Sequence, residues 1–330
     1  PTYLGRAASI DNHAIAKLGL GTSGAKLFSV TVRLDKEDRK VELILKVGRE
    51  DKPTEALFYR DLAGKIPIRT PRVVATGIDD GHGWVLMERV AGVRKHTNWT
   101  EADYRNVVED MALLHSQYWN NTDSLRTDWL RVMNPETVSG MIPELTSAVD
   151  ELRGSWLAAT WSDALGEDRL DRMTSALEAS EALARPLRAA GLTFVHGDYW
   201  FYNSLHTRHG RRVVVDWQTP MIWSGCWELA YFMNLLRALG RDGYRQIPVP
   251  EETIVAWYAQ AIAARGVDIE ARQFQRALCS GRVLHAMFHW LPQLAGSAEH
   301  PKWACSPIFE QAHGFFNDTF DEWDREFAAL

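Results

Sequence analysis

Cysteine is scarce in this chain. Its three residues, Cys226, Cys279 and Cys305, lie far apart and form no Cys-x-x-Cys pair. That excludes a disulfide framework and a cysteine-based zinc site, and it is the pattern expected of reduced thiols in a cytoplasmic protein. Positive charge is not in excess either: 37 Lys and Arg stand against 43 Asp and Glu, a net charge of −6. This argues against a nucleic-acid-binding face. No stretch approaches the roughly eighteen apolar residues that a membrane span needs. The first thirty residues mix Arg6, Asp11, Lys17 and Lys26 with short apolar pieces, so they do not read as a secretory leader. Also missing are a Gly-Lys-Ser/Thr P-loop and any His-Arg-Asp or Ala-Pro-Glu segment. Those gaps weigh against a P-loop enzyme and against a protein kinase. There is no internal repeat, no low-complexity tract and no long linker, and nothing implies a protein partner.

What is present is a globular composition, 46% apolar and 24% charged, over 330 residues. That length exceeds what one compact core usually supports, so two lobes are expected. Ala25–Arg33 and Val41–Val47 are β-branched or aliphatic runs that predict two strands joined by the charged segment Asp35–Lys40. Thr54–Leu62 has helical spacing, with Thr54 placed to cap it after Pro53. Val73–Gly77 and Trp84–Val90 predict two more strands around the turn Asp79–Gly83. Beyond about residue 91 the pattern turns helical. Thr100 and Asp103 form a capping-box pattern, and Tyr104, Val107, Val108, Met111, Leu114 and Tyr118 share a helical face. Further helices run to about residue 190, interrupted by Pro135, Pro143 and Pro186, with Gly191 as a stop before a strand at Leu192–Val195. The expected class is α+β: a strand-rich lobe over 1–90 and a larger helical lobe over 91–330, hinged near Glu88–Gly92.

The chemistry-bearing segment is Thr193-Phe-Val-His-Gly-Asp-Tyr-Trp-Phe-Tyr-Asn203, followed by Val213-Val-Val-Asp216-Trp-Gln218. Asn203 comes five residues after Asp198, and Asp216 eighteen after it, at the end of an apolar run. Transfer of a phosphoryl group from a nucleotide needs such a set: one carboxylate for the hydroxyl proton, an amide oxygen and a second carboxylate for the metal. Gly197 lets the backbone turn sharply. His196 is read as a structural group that bonds backbone and holds the loop, and His206 and His209 as solvated turn residues. The alternative for Asp216 is a strand-end carboxylate capping a turn. Gln218 could support a metal shell without adding charge.

Lys46 lies in Val41-Glu-Leu-Ile-Leu-Lys-Val47, where an ammonium needs a partner if buried. Glu55, at the start of the next helix, is the available one; the other reading is an edge-strand lysine facing water. Leu18-Gly-Leu-Gly-Thr-Ser-Gly-Ala-Lys26 carries Gly19, Gly21 and Gly24 in G-x-G-x-x-G spacing before a strand. A strand rather than a helix after it excludes a dinucleotide fingerprint and leaves a phosphate-covering glycine loop.

These segments resemble the aminoglycoside phosphotransferase and choline kinase superfamily, which has a bilobal protein-kinase-like fold. Glu55-Ala-Leu-Phe-Tyr59, Leu113-Leu-His-Ser-Gln-Tyr-Trp119, His196-Gly-Asp-Tyr-Trp200 and Asp216-Trp-Gln218 look most like its ecdysteroid-kinase-like (CHK) branch. Gly225-Cys-Trp-Glu-Leu-Ala230 resembles a family helix start, with Glu228 in place of an Asp. The resemblance covers residues 18–240. It implies that Lys46 binds nucleotide phosphates with Glu55 orienting it, and that Gly21, Thr22, Ser23 and Gly24 cover them. It implies that the backbone from Glu88 to Val90 meets adenine, that Asp198 is catalytic, and that Asn203 and Asp216 ligate Mg²⁺. Glu228 would brace the catalytic loop. ATP and Mg²⁺ are the implied cofactors, and a small hydroxylated molecule the implied acceptor.

Two acceptor classes stay open. The tail acids Asp318, Asp321, Glu322, Asp324 and Glu326 could bind ammonium groups of a cationic antibiotic or aminocyclitol, or form a solvated helix face. Trp119, Trp200, Trp217, Trp223, Trp227 and Trp290 could wall a pocket for a flatter, apolar alcohol, or pack in the core. A kinase fold without activity, serving as a binding module, is the rival class.

Overall fold

The computed structural model describes residues 10–20, 25–34, 39–49, 53–241, 249–298 and 307–330. Backbone contacts divide the chain into two compact units. The first comprises Pro1–Trp99, Asp123–Leu130 and His196–Pro220; the second Thr100–Thr122, Arg131–Val195 and Met221–Leu330.

The first unit is built on strands β1 (Ile10–Leu20), β2 (Lys26–Leu34), β3 (Arg39–Val47), β4 (Val73–Asp79) and β5 (His82–Glu88), with helix α1 (Thr54–Asp61). They form a five-stranded sheet in the order β1-β2-β3-β5-β4, every pair antiparallel. Alternation along β2 and β3 buries Val30, Val32 and Leu43, against which Val41, Leu45, Val74 and Leu86 pack. The register sets Lys46 opposite Leu27 on one side and Val85 on the other. Lys46 is therefore on an interior strand, not an edge. Asp80 and Gly81 both take positive φ, which matches the two-residue turn that a right-twisted hairpin requires between β4 and β5. The expected strand at Trp84–Val90 runs from His82 and ends at Glu88.

Two expectations for this region change. β1 is an additional strand. Ala14 to Leu18 are all exposed on it, so neither face carries the alternation that marks a half-buried strand. Thr54 is not a cap but the first residue of α1; Pro53 occupies the cap position and no side chain bonds there. Pro53 needs no donor at a helix start, and its fixed φ suits the position.

The first unit also holds a short hairpin, β8 (Ser204–His206) and β9 (Arg212–Val214), paired antiparallel. Its tip meets the segment after β5: Val93 bridges Thr207, Arg94 N donates to His206 O at 2.7 Å, and Arg208 N donates to Gly92 O at 2.9 Å.

The second unit is helical: α2 (Glu101–Tyr118), α3 (Pro135–Leu152), α4 (Trp156–Thr160), α5 (Ser162–Leu165), α6 (Glu167–Glu178), α7 (Ser180–Ala190), α8 (Gly225–Arg241), α9 (Glu251–Ala263), α10 (Ala271–His285), α11 (Leu291–Ala298) and α12 (Pro307–Ala329). A turn of π-helix, Ala286–Trp290, joins α10 to α11. A small sheet of β6 (Arg131–Val132), β10 (Met221–Trp223) and β7 (Thr193–Val195) completes it. The Thr100–Asp103 capping box is present. Gly191 ends α7 at φ 123°, and any Cβ there would strike the Trp119 indole. The prolines do not all interrupt. Pro135 starts α3 behind an Asn134 cap, while Pro143 and Pro186 sit inside helices. The residues four before them, Ser139 and Ala182, are exposed, so water can take the place of the lost donor there. Among the described residues no helix is long and apolar enough to cross a membrane.

Candidate active site

Lys46, eight residues into β3, is 8% exposed, so its ammonium must be paired within the protein. It is paired twice: Nζ lies 2.7 Å from Glu55 Oε2 and 2.5 Å from Asp216 Oδ1. α1 packs on β4 and β5, which brings Glu55, in its first turn, to the sheet face bearing Lys46. Burial pulls the Lys46 pKa down, but the two carboxylates outweigh it and leave the pKa raised. Burial pushes the Glu55 carboxyl up, and Lys46 only partly opposes that shift.

The chain leaves β7 into the His196–Asn203 turn. Gly197 takes φ 83°, and a Cβ at that position would run into Thr219 O. Asp198 N donates to His196 Nδ1 at 3.2 Å, so Nδ1 is the unprotonated nitrogen and Nε2–H donates to Val215 O at 2.9 Å. His196 therefore ties the turn to the strand end that precedes Asp216, as the sequence predicts. Asn203 Nδ2 donates to both Asp198 O (2.8 Å) and Asp198 Oδ2 (2.9 Å). Those bonds fix the Asp198 carboxylate and turn the amide oxygen of Asn203 away from it.

Asp216 follows β9 in a left-handed conformation, φ 67°. Val215 N donates to Asn203 O at 2.9 Å, extending the hairpin ladder by one pair and setting Asn203 and Asp216 at the same end of it. Gln218 Nε2 donates to Asp216 Oδ1. Trp217 is fully buried, stacked on Phe58 of α1 with centroids 4.2 Å apart and planes at 8°. The indole thus fixes the hairpin end against the helix that carries Glu55.

As donors, Asn203 and Asp216 offer an amide oxygen and a carboxylate, both hard oxygens. With phosphate oxygens and water completing the shell, that set fits Mg²⁺ and not a thiolate- or imidazole-seeking metal.

Of the residues predicted from sequence, Lys46, Glu55 and Asp216 come together directly, and Asp198 and Asn203 form a second bonded pair on the segment leading to Asp216. Gly21, Thr22, Ser23 and Gly24 lie outside the described residues. Glu88 ends β5, with Val90 two residues beyond it. Glu228 is buried and hydrogen-bonds His115 Nε2 at 2.9 Å, while His115 Nδ1 meets Tyr258 Oη at 2.8 Å.

Several expectations are corrected. His206 is 2% exposed and stacks on Trp99 at 4.3 Å, so it is a packed residue; His209 is exposed as expected. For Trp217, Trp223 and Trp227 the core alternative holds: all three are buried. Four of the tail acids are ion-paired rather than simply solvated. Asp321 and Asp324 engage Arg169, Asp324 also engages Arg172, and Glu322 and Glu326 engage Arg282. Their partners come from α6 and α10, which no local pattern links to α12. The second unit also contains a cavity of about 720 Å³ between α9 and α10, walled by Val255, Ile262, Phe274 and Leu278. None of the predicted site residues lines it.

The sequence points to the backbone at Glu88 but not to what its side chain does. The Glu88 carboxylate, 6% exposed, accepts from Arg72 N at 3.0 Å, from the Arg72 guanidinium at 3.3 Å, and from Arg211 Nη1 at 3.1 Å. The only signal for it is an acidic residue at the end of an apolar strand, which by itself names no partner.

The fold has counterparts among solved structures. Choline kinase from Cryptosporidium parvum Iowa II superposes with a TM-score of 0.60 at 13% identity, over 96% of this chain and 90% of that one. Choline kinase from Streptococcus pneumoniae gives 0.56 at 10% identity, over 94% of each chain. Macrolide 2'-phosphotransferase from Brachybacterium faecium gives 0.50 at 15% identity, over 91% and 96%. At such identities the likeness concerns the fold. No curated protein matches the sequence. The model of the phosphotransferase enzyme family, APH, matches residues 25–273, well over half of the chain, and the chain belongs to that family.

Proposed function

We propose that this protein is an ATP- and Mg²⁺-dependent phosphotransferase acting on a hydroxyl group of a small molecule. The observation that carries the reading is the bonded set Lys46–Glu55–Asp216 beside Asp198–Asn203. Lys46 would neutralise nucleotide phosphate charge, held in line by Glu55. Asp198, fixed by the Asn203 amide, would orient the acceptor hydroxyl and receive its proton. Asn203 Oδ1 and Asp216 would hold Mg²⁺, which when bound offsets the charge of the transferring phosphates. Gly21, Thr22, Ser23 and Gly24 would cover the phosphates, and the backbone at Glu88–Val90 would receive the adenine. We assign nucleotide binding to the lobe over 1–90, and the catalytic loop, metal site and acceptor site to 91–330. Widely spaced thiols accord with a cytoplasmic setting.

For the acceptor we favour an apolar alcohol over a polycation, in keeping with a CHK-like branch. The supporting observation is that four of the five tail acids, Asp321, Glu322, Asp324 and Glu326, are already engaged by Arg169, Arg172 and Arg282, which leaves little acidic surface for ammonium groups.

Thermal unfolding with saturating ATP, in Mg²⁺ and in EDTA, tests the nucleotide site. A ligand at a hundred times its Kd adds about 2.7 kcal/mol, a rise of roughly 4 °C for a protein of this size. The expected result is a rise that needs Mg²⁺. No rise with ATP or GTP would favour a binding module without transferase activity. A mass-resolved screen of hydroxylated metabolites and antibiotics for added phosphate then identifies the acceptor.

A further inference from the structure

The strand that ends at Glu88 and the hairpin that carries Asn203 and Asp216 are separated by more than a hundred residues, yet they are joined at one point by charge. Glu88 is the last residue of β5, and its backbone N donates to Arg72 O at 2.9 Å. Its carboxylate is gripped on one side by Arg72 and on the other by both terminal nitrogens of Arg211. Burial pushes the Glu88 carboxyl up, but the two guanidiniums and the Arg72 amide outweigh it and keep it ionised.

Arg211 immediately precedes β9, at the tip of the β8–β9 hairpin. The tip is itself a closed turn: Thr207 N donates to Arg211 O at 2.9 Å, and Arg211 N donates to Thr207 Oγ1 at 3.0 Å. The backbone just past Glu88 is docked on the same tip through the Val93–Thr207 bridge and the Arg94–His206 and Arg208–Gly92 bonds. The other end of the hairpin carries Asn203 and Asp216. Between tip and base run three paired residues per strand, a rigid span of roughly 10 Å at the usual rise of a strand. That is the scale separating the purine from the outer phosphates of an extended nucleotide.

We propose that Arg211 is a positioning residue: by clamping Glu88 it fixes the base-binding backbone relative to Asn203 and Asp216, so that the hairpin couples recognition of the nucleobase to binding of the metal–phosphate end. The inference rests on the nucleotide-site reading above. A bidentate guanidinium suits this task because it sets distance and orientation together, which a lysine ammonium does not.

The test compares three probes on the whole protein by calorimetry: adenosine, Mg²⁺-tripolyphosphate and Mg²⁺-ATP. In Arg211→Met, the two partial ligands are expected to bind within about twofold of the wild type, while Mg²⁺-ATP weakens roughly tenfold. Arg211→Lys is expected to fall between. Should Arg211→Met fold poorly because Glu88 loses a partner, the double variant Glu88→Gln/Arg211→Met removes that charge and is expected to show the same pattern. Unchanged Mg²⁺-ATP affinity would overturn the proposal. So would equal weakening of all three probes, which marks general structural support only. A wild-type protein that binds none of the three would overturn the nucleotide reading itself, and the clamp's role with it.

Discussion

The Lys46 ammonium touches the Asp216 carboxylate at 2.5 Å although 170 positions separate them. With Glu55 on its other side, Lys46 is one positive charge shared by two carboxylates, both gathered by packing of the Trp217–Phe58 stack. On the proposed reading, a nucleotide phosphate entering here would compete with Asp216 for the ammonium, and a metal ion would offset that loss at Asp216.

Replacing Lys46 by Met should therefore harm the fold as well as the chemistry. Removing one member of a buried ion pair leaves an uncompensated charge and costs about 3 kcal/mol or more. Urea unfolding is expected to show this, with stability partly restored in Lys46→Met/Glu55→Gln. A single variant as stable as the wild type would mean that water already screens the trio.

Asp198→Asn keeps the shape of the side chain and removes its charge. Transfer is expected to fall by at least about a hundredfold, while the Mg²⁺-dependent shift in unfolding temperature with ATP stays. Wild-type turnover in this variant would remove Asp198 from the reaction.

Gly197→Ala asks for a left-handed conformation at a residue with a Cβ, at about 1–2 kcal/mol, before the encounter with Thr219 O is counted. Both the unfolding midpoint and the rate of transfer are expected to drop. A neutral result would show that the turn can relax without moving Asp198.

Acid should destabilise the helical unit through two imidazoles. Burial pushes His289 down to about 4 and holds His285, whose ring centroid lies 5.1 Å away, well below its ordinary 6.5. Below 6.5 the unfolded chain takes up protons that the folded one refuses, so stability falls as pH drops from there towards 4. His289→Gln is expected to lessen that fall by up to about 1.4 kcal/mol per pH unit within this window. Denaturant titrations at neutral and mildly acidic pH read the slope, and parallel slopes in the two proteins would argue against it.

The candidate site was legible where its residues are contiguous. Asp198, Asn203 and Asp216 fall within nineteen residues of chain, and a buried-strand lysine asks for a carboxylate that the next helix supplies at Glu55. The interior sheet was legible for a similar reason, since β2 and β3 alternate or run apolar. β1 was not, because an edge strand with Ile15 and Leu18 exposed obeys no burial pattern. His206 and the acids of α12 were misread because their partners, Trp99, Arg169 and Arg282, are set by packing between distant elements. Local polarity suggests solvent for such residues, and only the fold supplies the alternative.

The backbone at Asp216 narrows the ways in which that position can be probed. At φ 67° the residue sits where only glycine, asparagine and aspartate rest with little strain. Exchange for alanine or valine would disturb the peptide plane and the charge at once, so loss of activity in either would have two causes. Asparagine alone removes the charge while keeping both the conformation and the side-chain length, and a comparison with glycine then separates the side chain's part from the backbone's.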